Sequence, residues 1–488
     1  MSSKSVQNIE TDILIIGAGG AGLAAAVAAR EKGAEVTVLE KRGMPGGNSA
    51  MAMGFFAAES KPQKRMKIDA PGDELFKMHM DFTHWRVNPL IVRSIINISG
   101  DTVQWLEDMG VTISDVPRFY PNQHIPTYHM ADKNQVIGKL IVKALAKKCD
   151  DLGVRLLNRT AAKKMLIGEN GEVTGVLAST QGEEFMINAR SIVLSTGGYG
   201  GNKKLLRKYY PYYREEFYMA GLPLMGDGFL MAMEIGAATE GLGVLLIGGP
   251  TLGTNTPKFP CLSSTHQDPT SLWVNKKGAR FVDESASSQL HTVVNALLRQ
   301  PDKTCYSLFD DRIVQEAFKE EALGDFSRYR GHGAKRNGLK KEIELALEKN
   351  GSMLKVSDSW DEISQWIDAS PEILKTTIDE YNSLCDRGYD SSFIKDKRYL
   401  QALRNPPFYA VKCLPRFSTT MGGIKINHLM EVLNHNDDTI PGLYAGGDVA
   451  GGWEYDTYDV QLTGFAFGFA INSGRIAGEN AAGYILGK

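Results

Sequence analysis

The feature that most constrains the fold is the segment at residues 11–41, where a buried strand, a glycine-rich turn, an alanine-rich helix and a second strand follow one another. Gly17, Gly19 and Gly22 suit, respectively, a tight bend, a close approach of backbone to a pyrophosphate, and close packing of helix on strand. The unpaired N–H groups and the dipole at the start of the helix favour the phosphates. Glu40 ends the second strand, where a carboxylate can accept hydrogen bonds from a ribose. The segment predicts a dinucleotide-binding α/β domain.

The length indicates two or three domains, and the composition indicates no general affinity for polyanions. The chain has 488 residues, which exceeds one typical domain. Its 55 basic and 57 acidic residues nearly balance, so neither nucleic acid nor an anionic membrane is a predicted partner. The start of the chain lacks the apolar core of a secretory signal, and no run reaches the roughly 18 apolar residues that cross a bilayer. We therefore predict no membrane span and a cytoplasmic location.

The five cysteines are scattered and odd in number, without CxxC spacing. This pattern argues against a disulfide framework, a zinc ribbon or c-type haem. The histidines likewise show no spacing typical of metal ligands, so no metal site is predicted.

The pattern of elements predicts a discontinuous nucleotide-binding domain. It comprises residues 1–238 and 402–488, with a helical insertion at about 60–130. Short strands between residues 153 and 196 form a β-meander that returns to the nucleotide sheet. Residues 239–401 are richer in charge and carry their own helices, so we predict that they form an inserted α+β capping domain.

Several segments, in the same order along the chain, resemble the flavoprotein subunits of the fumarate reductase and succinate dehydrogenase superfamily. Within this superfamily, the chain is most similar in character to the 3-ketosteroid dehydrogenase-like and soluble reductase members. The resemblance implies FAD rather than NAD, bound by a Rossmann-like domain of the glutathione-reductase type. No second strand–glycine–acid unit that would hold NADH is evident. The segments are Gly17–Gly22 with Glu40, and residues 46–54, 195–202, 226–237, 275–284, 420–423, 440–448 and 474–482.

The resemblance also implies a set of FAD contacts. Asp448 is expected at the ribityl or pyrophosphate region, and the helix after Leu462 is expected to point its N-terminus at the flavin N1/O2 edge. Some members of the superfamily attach the flavin through a histidine in the loop after the second strand; residues 46–49 contain none, so we predict non-covalent FAD. The predicted contacts are Gly17, Gly19, Gly20, Ala21, Gly22, Glu40, Lys41, Gly46, Gly47, Asn48, Ser49, Met53, Gly54, Ala162, Thr196, Gly197, Gly198, Asn202, Gly226, Asp227, Gly447, Asp448, Gly464 and Phe465.

The chain departs from the fumarate-reducing members at the substrate positions. Those members bind a dicarboxylate with arginines and histidines and deliver a proton from an arginine. The two histidine positions hold Gly249 and Thr419, the proton-donating arginine position holds Ser288, and the arginine position before the last helix holds Gln461. The relay glutamate and arginine fall near Ser264 and Gln267. Because a buried carboxylate without a cation is unfavourable, these losses predict an uncharged substrate.

These observations predict an FAD-dependent oxidoreductase that adds or removes hydrogen across a carbon–carbon bond activated by a carbonyl-type group, with hydride moving through flavin N5. The expected substrate is neutral and apolar or ring-shaped, such as a steroid-like enone. Tyr458 or Tyr120 is the expected acid or base. The predicted catalytic and substrate residues are Tyr458, Tyr120, Thr419, Gln461, Arg416 and Ser288.

Two alternatives remain open at this point. The first is an enoate reductase of the fumarate or urocanate reductase type, in which Arg416 binds the substrate carboxylate. The second is a flavin-carrying redox subunit without small-molecule chemistry of its own. In each case an external electron donor or acceptor is required, and a quinone, a flavin or a redox protein would serve.

Overall fold

The structure is a computed structural model that describes residues 9–120, 122–132, 135–252, 259–266, 268–316, 338–348 and 352–487. The chain divides into two compact units. Unit 1 comprises Met1–Pro211, Gly221–Leu246 and Ser418–Lys488, and unit 2 comprises Tyr212–Ala220 and Ile247–Phe417. The main boundaries fall after residues 246 and 417, where the sequence pattern predicted 238 and 401.

The elements of the first half of the chain are β1 (Ile9–Ile16), α1 (Gly20–Glu31), β2 (Val36–Glu40), β3 (Phe55–Phe56), α2 (Lys61–Arg65), α3 (Gly72–Phe82), α4 (Pro89–Asp108), β4 (Tyr128–His129), α5 (Ile137–Asp151), β5 (Arg155–Asn158), β6 (Thr160–Ile167), β7 (Val173–Thr180), β8 (Glu183–Leu194), α6 (Lys203–Tyr209), β9 (Tyr218–Met219), α7 (Asp227–Glu234) and β10 (Thr239–Glu240). Those of the second half are β11 (Leu245–Leu252), α8 (Pro260–Thr265), β12 (Leu272–Asn275), α9 (Leu290–Leu298), β13 (Cys305–Asp310), α10 (Asp311–Glu316), α11 (Leu339–Glu348), β14 (Leu354–Ser357), α12 (Trp360–Ile367), α13 (Pro371–Arg387), β15 (Phe408–Thr420), β16 (Gly423–Ile424), β17 (Glu431–Leu433), β18 (Thr439–Ala445) and α14 (Phe465–Leu486).

Unit 1 is built on a mainly parallel sheet with the strand order β17-β18-β8-β1-β2-β5. The strands β5, β2, β1, β8 and β18 run parallel, and β7 and β6 extend β8 as an antiparallel meander. Residues 13–16 of β1 are almost fully buried, as expected for a central parallel strand covered on both faces. The predicted α/β fold class is confirmed.

The helices α1 and α14 pack closely because glycines lie at their contact. A Cβ atom on Gly474 would meet the carbonyl oxygen of Ala21 at 2.1 Å, and one on Gly478 would meet that of Ala25 at 2.2 Å. A side chain at either position would therefore push the two helices apart. This contact fixes α14 beside the nucleotide-binding turn that precedes α1.

Unit 2 is an α+β unit around a six-stranded sheet of order β11-β15-β13-β12, with β14 and β9 also paired to β15. Side chains alternate across β13, as the strand period requires. Cys305 and Phe309 enter one hydrophobic cluster, whereas Tyr306 and Leu308 enter the other. The sheet is thus covered by a core on each face.

A buried ionic cluster holds part of unit 2 together. Arg280 lies 2.9 Å from a carboxylate oxygen of Glu284 and 2.8 Å from one of Asp390, and Lys395 Nζ lies 3.1 Å from Glu284. Burial alone would raise the pKa of Glu284, but the charges of Lys395 and Arg280 outweigh it and lower that pKa. Each carboxylate has a cation, so the cluster serves the fold.

In the described part of the chain, the helices fall short of the length and apolar character that a membrane span requires.

Candidate functional site

A cleft opens in unit 1 at the carboxyl ends of the parallel strands, where α/β sheets bind their ligands. It encloses about 840 Å³, including space open to solvent. The loops after β1, β2, β8 and β18 all reach it. The predicted cofactor residues that line it are Gly17, Gly19, Gly20, Ala21, Glu40, Lys41, Gly47, Asn48, Ser49, Ala162, Thr196, Gly197, Asp227, Gly447 and Asp448.

The three glycines of the first turn have separable roles. Gly17 has a φ of +106°, and a Cβ on Gly22 would lie 1.8 Å from the Gly17 carbonyl oxygen. Gly17 is therefore needed for its backbone conformation, and Gly22 is needed because a side chain there would clash. Gly19 differs, because its φ of −76° suits any residue and a Cβ there would meet no atom within 4 Å. Since Gly19 lines the cleft, the space beside it is available to a ligand.

Glu40 lies at the end of β2 with its carboxylate fixed against the turn. One oxygen accepts a hydrogen bond from the Ala18 N–H at 3.0 Å, and the other accepts from the Arg42 N–H at 2.8 Å. A carboxylate oxygen can accept more than one hydrogen bond, so both oxygens can still accept from ribose hydroxyls. Beside it, Lys41 forms an ion pair with Asp227.

The other end of the cleft contains two buried polar groups, Asp448 and Thr196, that could make further hydrogen bonds to a ligand. Asp448 accepts a hydrogen bond from the Thr419 hydroxyl at 2.7 Å. Burial raises the pKa of Asp448 to about 6, although the Thr419 hydrogen bond opposes that rise. Among the residues described, none pairs with the buried hydroxyl of Thr196. A polyhydroxylated ribityl chain would satisfy both groups, so the cleft fits a flavin dinucleotide.

The loop after β2 is docked on the first turn. The Gly46 N–H donates to the Ala18 carbonyl at 2.8 Å, and the Ser49 hydroxyl accepts from the Gly20 N–H at 3.0 Å. The side chain of Asn48 accepts from the Leu222 N–H at 2.7 Å. These bonds hold the loop in place without a ligand.

The remaining predicted cofactor residues lie outside the cleft lining and stay predictions as ligand contacts. A Cβ on Gly54 would lie 2.6 Å from the ring of Tyr128, and the adjacent Met53 is likewise outside the lining. A Cβ on Gly198 would lie 2.0 Å from the Thr420 hydroxyl. Gly464 and Gly226 precede α14 and α7 with left-handed backbone, Asn202 caps α6, and Phe465 packs edge-on against Phe56.

The two predicted catalytic tyrosines, Tyr458 and Tyr120, both lie in unit 1, and Tyr120 affects the pKa of Tyr458. The hydroxyl oxygen of Tyr458 accepts a hydrogen bond from the Gly464 N–H at 3.1 Å, at the start of α14. Burial raises the pKa of Tyr458 well above its usual value, and nearby Tyr120 contributes to that rise. Both side chains are almost fully buried.

Gln461 and Thr419 are both engaged by the chain itself. The Gln461 side-chain oxygen accepts from the His124 N–H at 3.2 Å, and its nitrogen donates to the Asn122 carbonyl at 3.4 Å. Thr419 is occupied by Asp448, as above. The two positions thus supply hydrogen-bonding groups and no positive charge.

Arg416 and Ser288 belong to unit 2. Arg416 lies in β15 opposite Tyr218 of β9, and Ser288 ends a short 3₁₀ helix at Glu284–Ser288. Burial lowers the pKa of His266 to about 3 and that of His291 to about 4, and the charge of Arg416 contributes to both. Of the two weaker assignments, Gln267 and the side chain of Ser264 lie outside the described residues.

Sequence reasoning missed a buried cluster beside Tyr458. His79 Nδ1 lies 3.0 Å from an Asp459 carboxylate oxygen, and its Nε2 lies 3.0 Å from the Trp453 carbonyl oxygen. Glu454 is fully buried. Neither of its carboxylate oxygens has a hydrogen-bond partner among the residues that the structure describes. The sequence did contain one signal, which was the occurrence of Glu454 and Asp459 on either side of Tyr458 in the segment at 453–459.

The pKa values of His79 and Glu454 in this cluster are both shifted from their usual values. Burial lowers the pKa of His79, but the hydrogen bond to Asp459 and the charges of Glu454 and Asp459 outweigh that effect and raise the pKa to about 8. Burial raises the pKa of Glu454 to about 8, against the opposing charge of His79. The contact with Asp459 therefore favours the charged imidazole, and burial favours the protonated Glu454 carboxyl.

Comparison with known proteins gives one family. Residues 12–459 match the family model described as FAD binding domain. The chain is 31% identical to a vinyl phenol reductase of Lactiplantibacillus plantarum, over 97% of this chain and 96% of that protein. It is 30% identical to a probable fumarate reductase of Shewanella frigidimarina, over 98% of this chain and 76% of that protein.

Solved structures agree on the architecture. The open conformation of a flavocytochrome c3 fumarate reductase has a TM-score of 0.74 and 27% identity, covering 98% of this chain and 79% of that one. A 3-ketosteroid-Δ4-(5α)-dehydrogenase of Rhodococcus jostii also has a TM-score of 0.74, at 21% identity, covering 98% of each chain. The second likeness is one of fold.

Proposed function

Because the chain belongs to the FAD-binding-domain family, we propose that it is an FAD-dependent oxidoreductase that reduces the carbon–carbon double bond of an uncharged substrate. The resemblance to the fumarate reductase superfamily is confirmed, and the cofactor is FAD. When bound, FAD supplies the hydride through N5 of its isoalloxazine ring. The roles below are those of the chain's own residues.

One observation carries the proposal of an uncharged substrate. The expected arginine position before α14 holds Gln461, whose amide is occupied by the backbone of residues 122 and 124. A carboxylate taken out of water needs a cation with good geometry, and a neutral amide already in use does not provide one.

We further propose that the substrate is an alkene conjugated to a hydroxylated ring. The relative that supports this is the vinyl phenol reductase, because the likeness extends over nearly the full length of both chains. A steroid-like enone belongs to the same neutral class, and the likeness to the steroid dehydrogenase supports the fold alone. Both substrates would present an alkene carbon that must receive a proton.

Tyr458 is proposed to donate that proton. Its oxygen accepts a hydrogen bond from the Gly464 N–H, and that N–H stabilises negative charge left on the oxygen. Tyr120 is the second candidate, since it lies near enough to raise the pKa of Tyr458. A positioned acid of this kind is typical of general acid catalysis.

The second candidate function is the reduction of a carboxylate-bearing alkene. It is favoured by the likeness to the probable fumarate reductase and by Arg416, whose charge affects two buried histidines of unit 2. In that function Arg416 binds the carboxylate. The electron donor in either case is proposed to be a quinone, a reduced flavin or a redox protein.

A matched pair of ligands tests the proposal. 4-Vinylphenol and 4-vinylbenzoate have similar shapes, but at neutral pH only the second is an anion. We expect 4-vinylphenol to bind the oxidised FAD enzyme at least about tenfold more tightly, because an unpaired buried carboxylate costs more than 1.4 kcal/mol. Titration of the flavin absorbance change measures both dissociation constants.

Arg416→Gln is the control for this pair. The proposal expects it to leave the affinity for 4-vinylphenol within about twofold, since a neutral ligand gains nothing from the charge of Arg416. Tighter binding of 4-vinylbenzoate to the wild type, lost in Arg416→Gln, would support the carboxylate function instead. If neither compound perturbs the flavin, a redox subunit without small-molecule chemistry becomes the better account.

Non-covalent attachment of FAD gives a simple prediction. The residues described as lining the cleft include no histidine, cysteine or tyrosine to which the flavin could be joined. Acid precipitation of the yellow protein should therefore leave the flavin absorbance in the supernatant. Absorbance that stays with the washed pellet would contradict this prediction.

A further inference from the structure

We propose that Glu454 is the buried proton store that resupplies Tyr458, and that His79, held in place by Asp459, stabilises the charge left on Glu454. The proposal rests on the proposed function in one respect, the role of Tyr458 as proton donor. It concerns residues of unit 1 alone, and Glu454 acts through Tyr458, without touching the substrate.

The first argument is that Glu454 is buried without a close partner for its carboxyl group. It is fully buried, and neither of its oxygens makes a well-formed hydrogen bond to any residue that the structure describes. Buried polar groups are normally hydrogen-bonded, and an unsatisfied one calls for an explanation. The backbone N–H groups of Asp459 and Tyr455 lower the pKa of Glu454, but burial outweighs them and raises it to about 8. A buried acid that favours its protonated form is suited to give that proton away.

The second argument is the geometry of His79. Both ring nitrogens face oxygens, Nδ1 the Asp459 carboxylate and Nε2 the Trp453 carbonyl, each at 3.0 Å. A carbonyl only accepts hydrogen bonds and so does an ionised carboxylate, so a ring with protons on both nitrogens satisfies both contacts. This fixes a positive charge near Glu454. That charge lowers the pKa of Glu454, which means that it favours the carboxylate left after proton transfer.

The third argument links the store to Tyr458. Glu454 and Tyr458 lie four residues apart in the same loop, and the charge of Glu454 contributes to the raised pKa of Tyr458. Tyr458 is in turn tied to the start of α14 by the Gly464 N–H. Further along that helix, Ala470 lines the FAD cleft. The cluster is thus connected to the cofactor site within one unit.

The proton transfers balance as follows. The O–H bond of Tyr458 breaks as a C–H bond forms on one alkene carbon, and the other carbon would take the hydride that bound reduced FAD would supply. The O–H bond of Glu454 breaks and restores the O–H bond of Tyr458. Glu454 remains as a carboxylate opposite the His79 imidazolium, and water returns the proton before the next turnover.

Several ionisable and charged groups lie around Glu454 and its neighbours in the loop. These are His79 from α3, Asp459 and Tyr458 from its own loop, Glu240 of β10 beside Gly452, and Arg86, whose guanidinium lies 4.1 Å from the centre of the Tyr455 ring. Because the pKa of Glu454 is about 8, its proton is present at pH 7 and lost at higher pH. The rate of alkene reduction should therefore fall as the pH rises through about 8.

The variant Glu454→Gln tests the proposal with two measurements. The first is infrared spectroscopy of the oxidised FAD enzyme without substrate. The wild type should show the carbonyl band of a protonated carboxyl at pH 7 that fades at alkaline pH, and the variant should lack it. The second is the anaerobic rate at which an alkene reoxidises the reduced enzyme, which should fall at least about tenfold and lose its decline at alkaline pH.

Two further variants separate a proton store from a structural acid. Glu240→Gln is the matched control, since one Glu240 oxygen is also buried without a hydrogen-bond partner among the described residues of unit 1. Glu240 does not contribute to the pKa shift of Glu454, so this variant should keep the Glu454 band and the pH profile of the wild type. In His79→Gln the band should persist to higher pH, because the charge of His79 lowers the pKa of Glu454.

The outcomes are distinguishable from those of the proposed function. An absent carboxyl band in the wild type, or a Glu454→Gln enzyme with the wild-type rate and pH profile, would overturn the proton store. If only carboxylate alkenes reoxidise the enzyme, the neutral-substrate proposal fails, and the same rate comparison with that alkene still supports or overturns the role of Glu454. The infrared band requires no substrate.

Discussion

Tyr458→Phe is expected to slow alkene reduction by about 10²-fold or more while FAD stays bound, because a positioned general acid contributes an effect of at least this size. The substitution removes the hydroxyl that accepts the Gly464 N–H and keeps the buried ring. Stopped-flow measurement of the anaerobic reoxidation of the reduced enzyme by 4-vinylphenol reports this step directly.

The matched control is Tyr444→Phe in β18. Tyr444 is also buried, and its hydroxyl donates to the Asn480 carbonyl at 3.4 Å. It should reoxidise at the wild-type rate with unchanged FAD content. If Tyr458→Phe matches the wild type as well, Tyr458 is not the acid, and Tyr120→Phe becomes the variant to measure.

Gly19→Val is expected to give a folded protein that has lost FAD. The backbone at Gly19 suits a β-branched residue, and the new side chain would meet no protein atom at its Cβ. It would instead occupy the space in the cleft beside Gly19, where we predict that the backbone approaches the pyrophosphate. We expect the FAD dissociation constant to rise at least about 10²-fold, which corresponds to about 2.7 kcal/mol. Flavin fluorescence titration of the apoprotein measures it.

Two other glycine variants serve as controls for Gly19→Val. Gly43→Ala, in the loop after β2, makes only an ordinary contact with Arg159 and should bind FAD normally. Gly22→Ala would lie 1.8 Å from the Gly17 carbonyl oxygen and should destabilise the fold itself. Normal FAD binding by Gly19→Val would contradict the assignment of this turn to the pyrophosphate.

The nucleotide-binding part of unit 1 was predictable because its constraints are local. Gly17, Gly22 and Glu40 lie within one strand–helix–strand unit, so their spacing alone predicts the geometry. Gly54 shows the limit of that reasoning. A glycine signals a close approach of something, and in the structure the approaching group is the ring of Tyr128.

The cluster around Tyr458 was not predictable because its contacts are distant in sequence. His79 and Asp459 are 380 residues apart. Gln461 is 337 residues from His124, whose N–H donates a hydrogen bond to the Gln461 side chain. No periodicity connects such positions. Similarly, β15 runs from Phe408 to Thr420 through the boundary between the units, and composition does not mark a boundary inside a continuous strand.

The central claim is that this flavoenzyme reduces uncharged alkenes, and the most direct measurement is the product of a single turnover. The FAD enzyme is reduced anaerobically and mixed separately with 4-vinylphenol, 4-vinylbenzoate and fumarate. The account predicts one equivalent of 4-ethylphenol per FAD from the first, with reoxidation by the two carboxylates at least about tenfold slower. Rapid reoxidation by fumarate or 4-vinylbenzoate, with 4-vinylphenol unreacted, would contradict it.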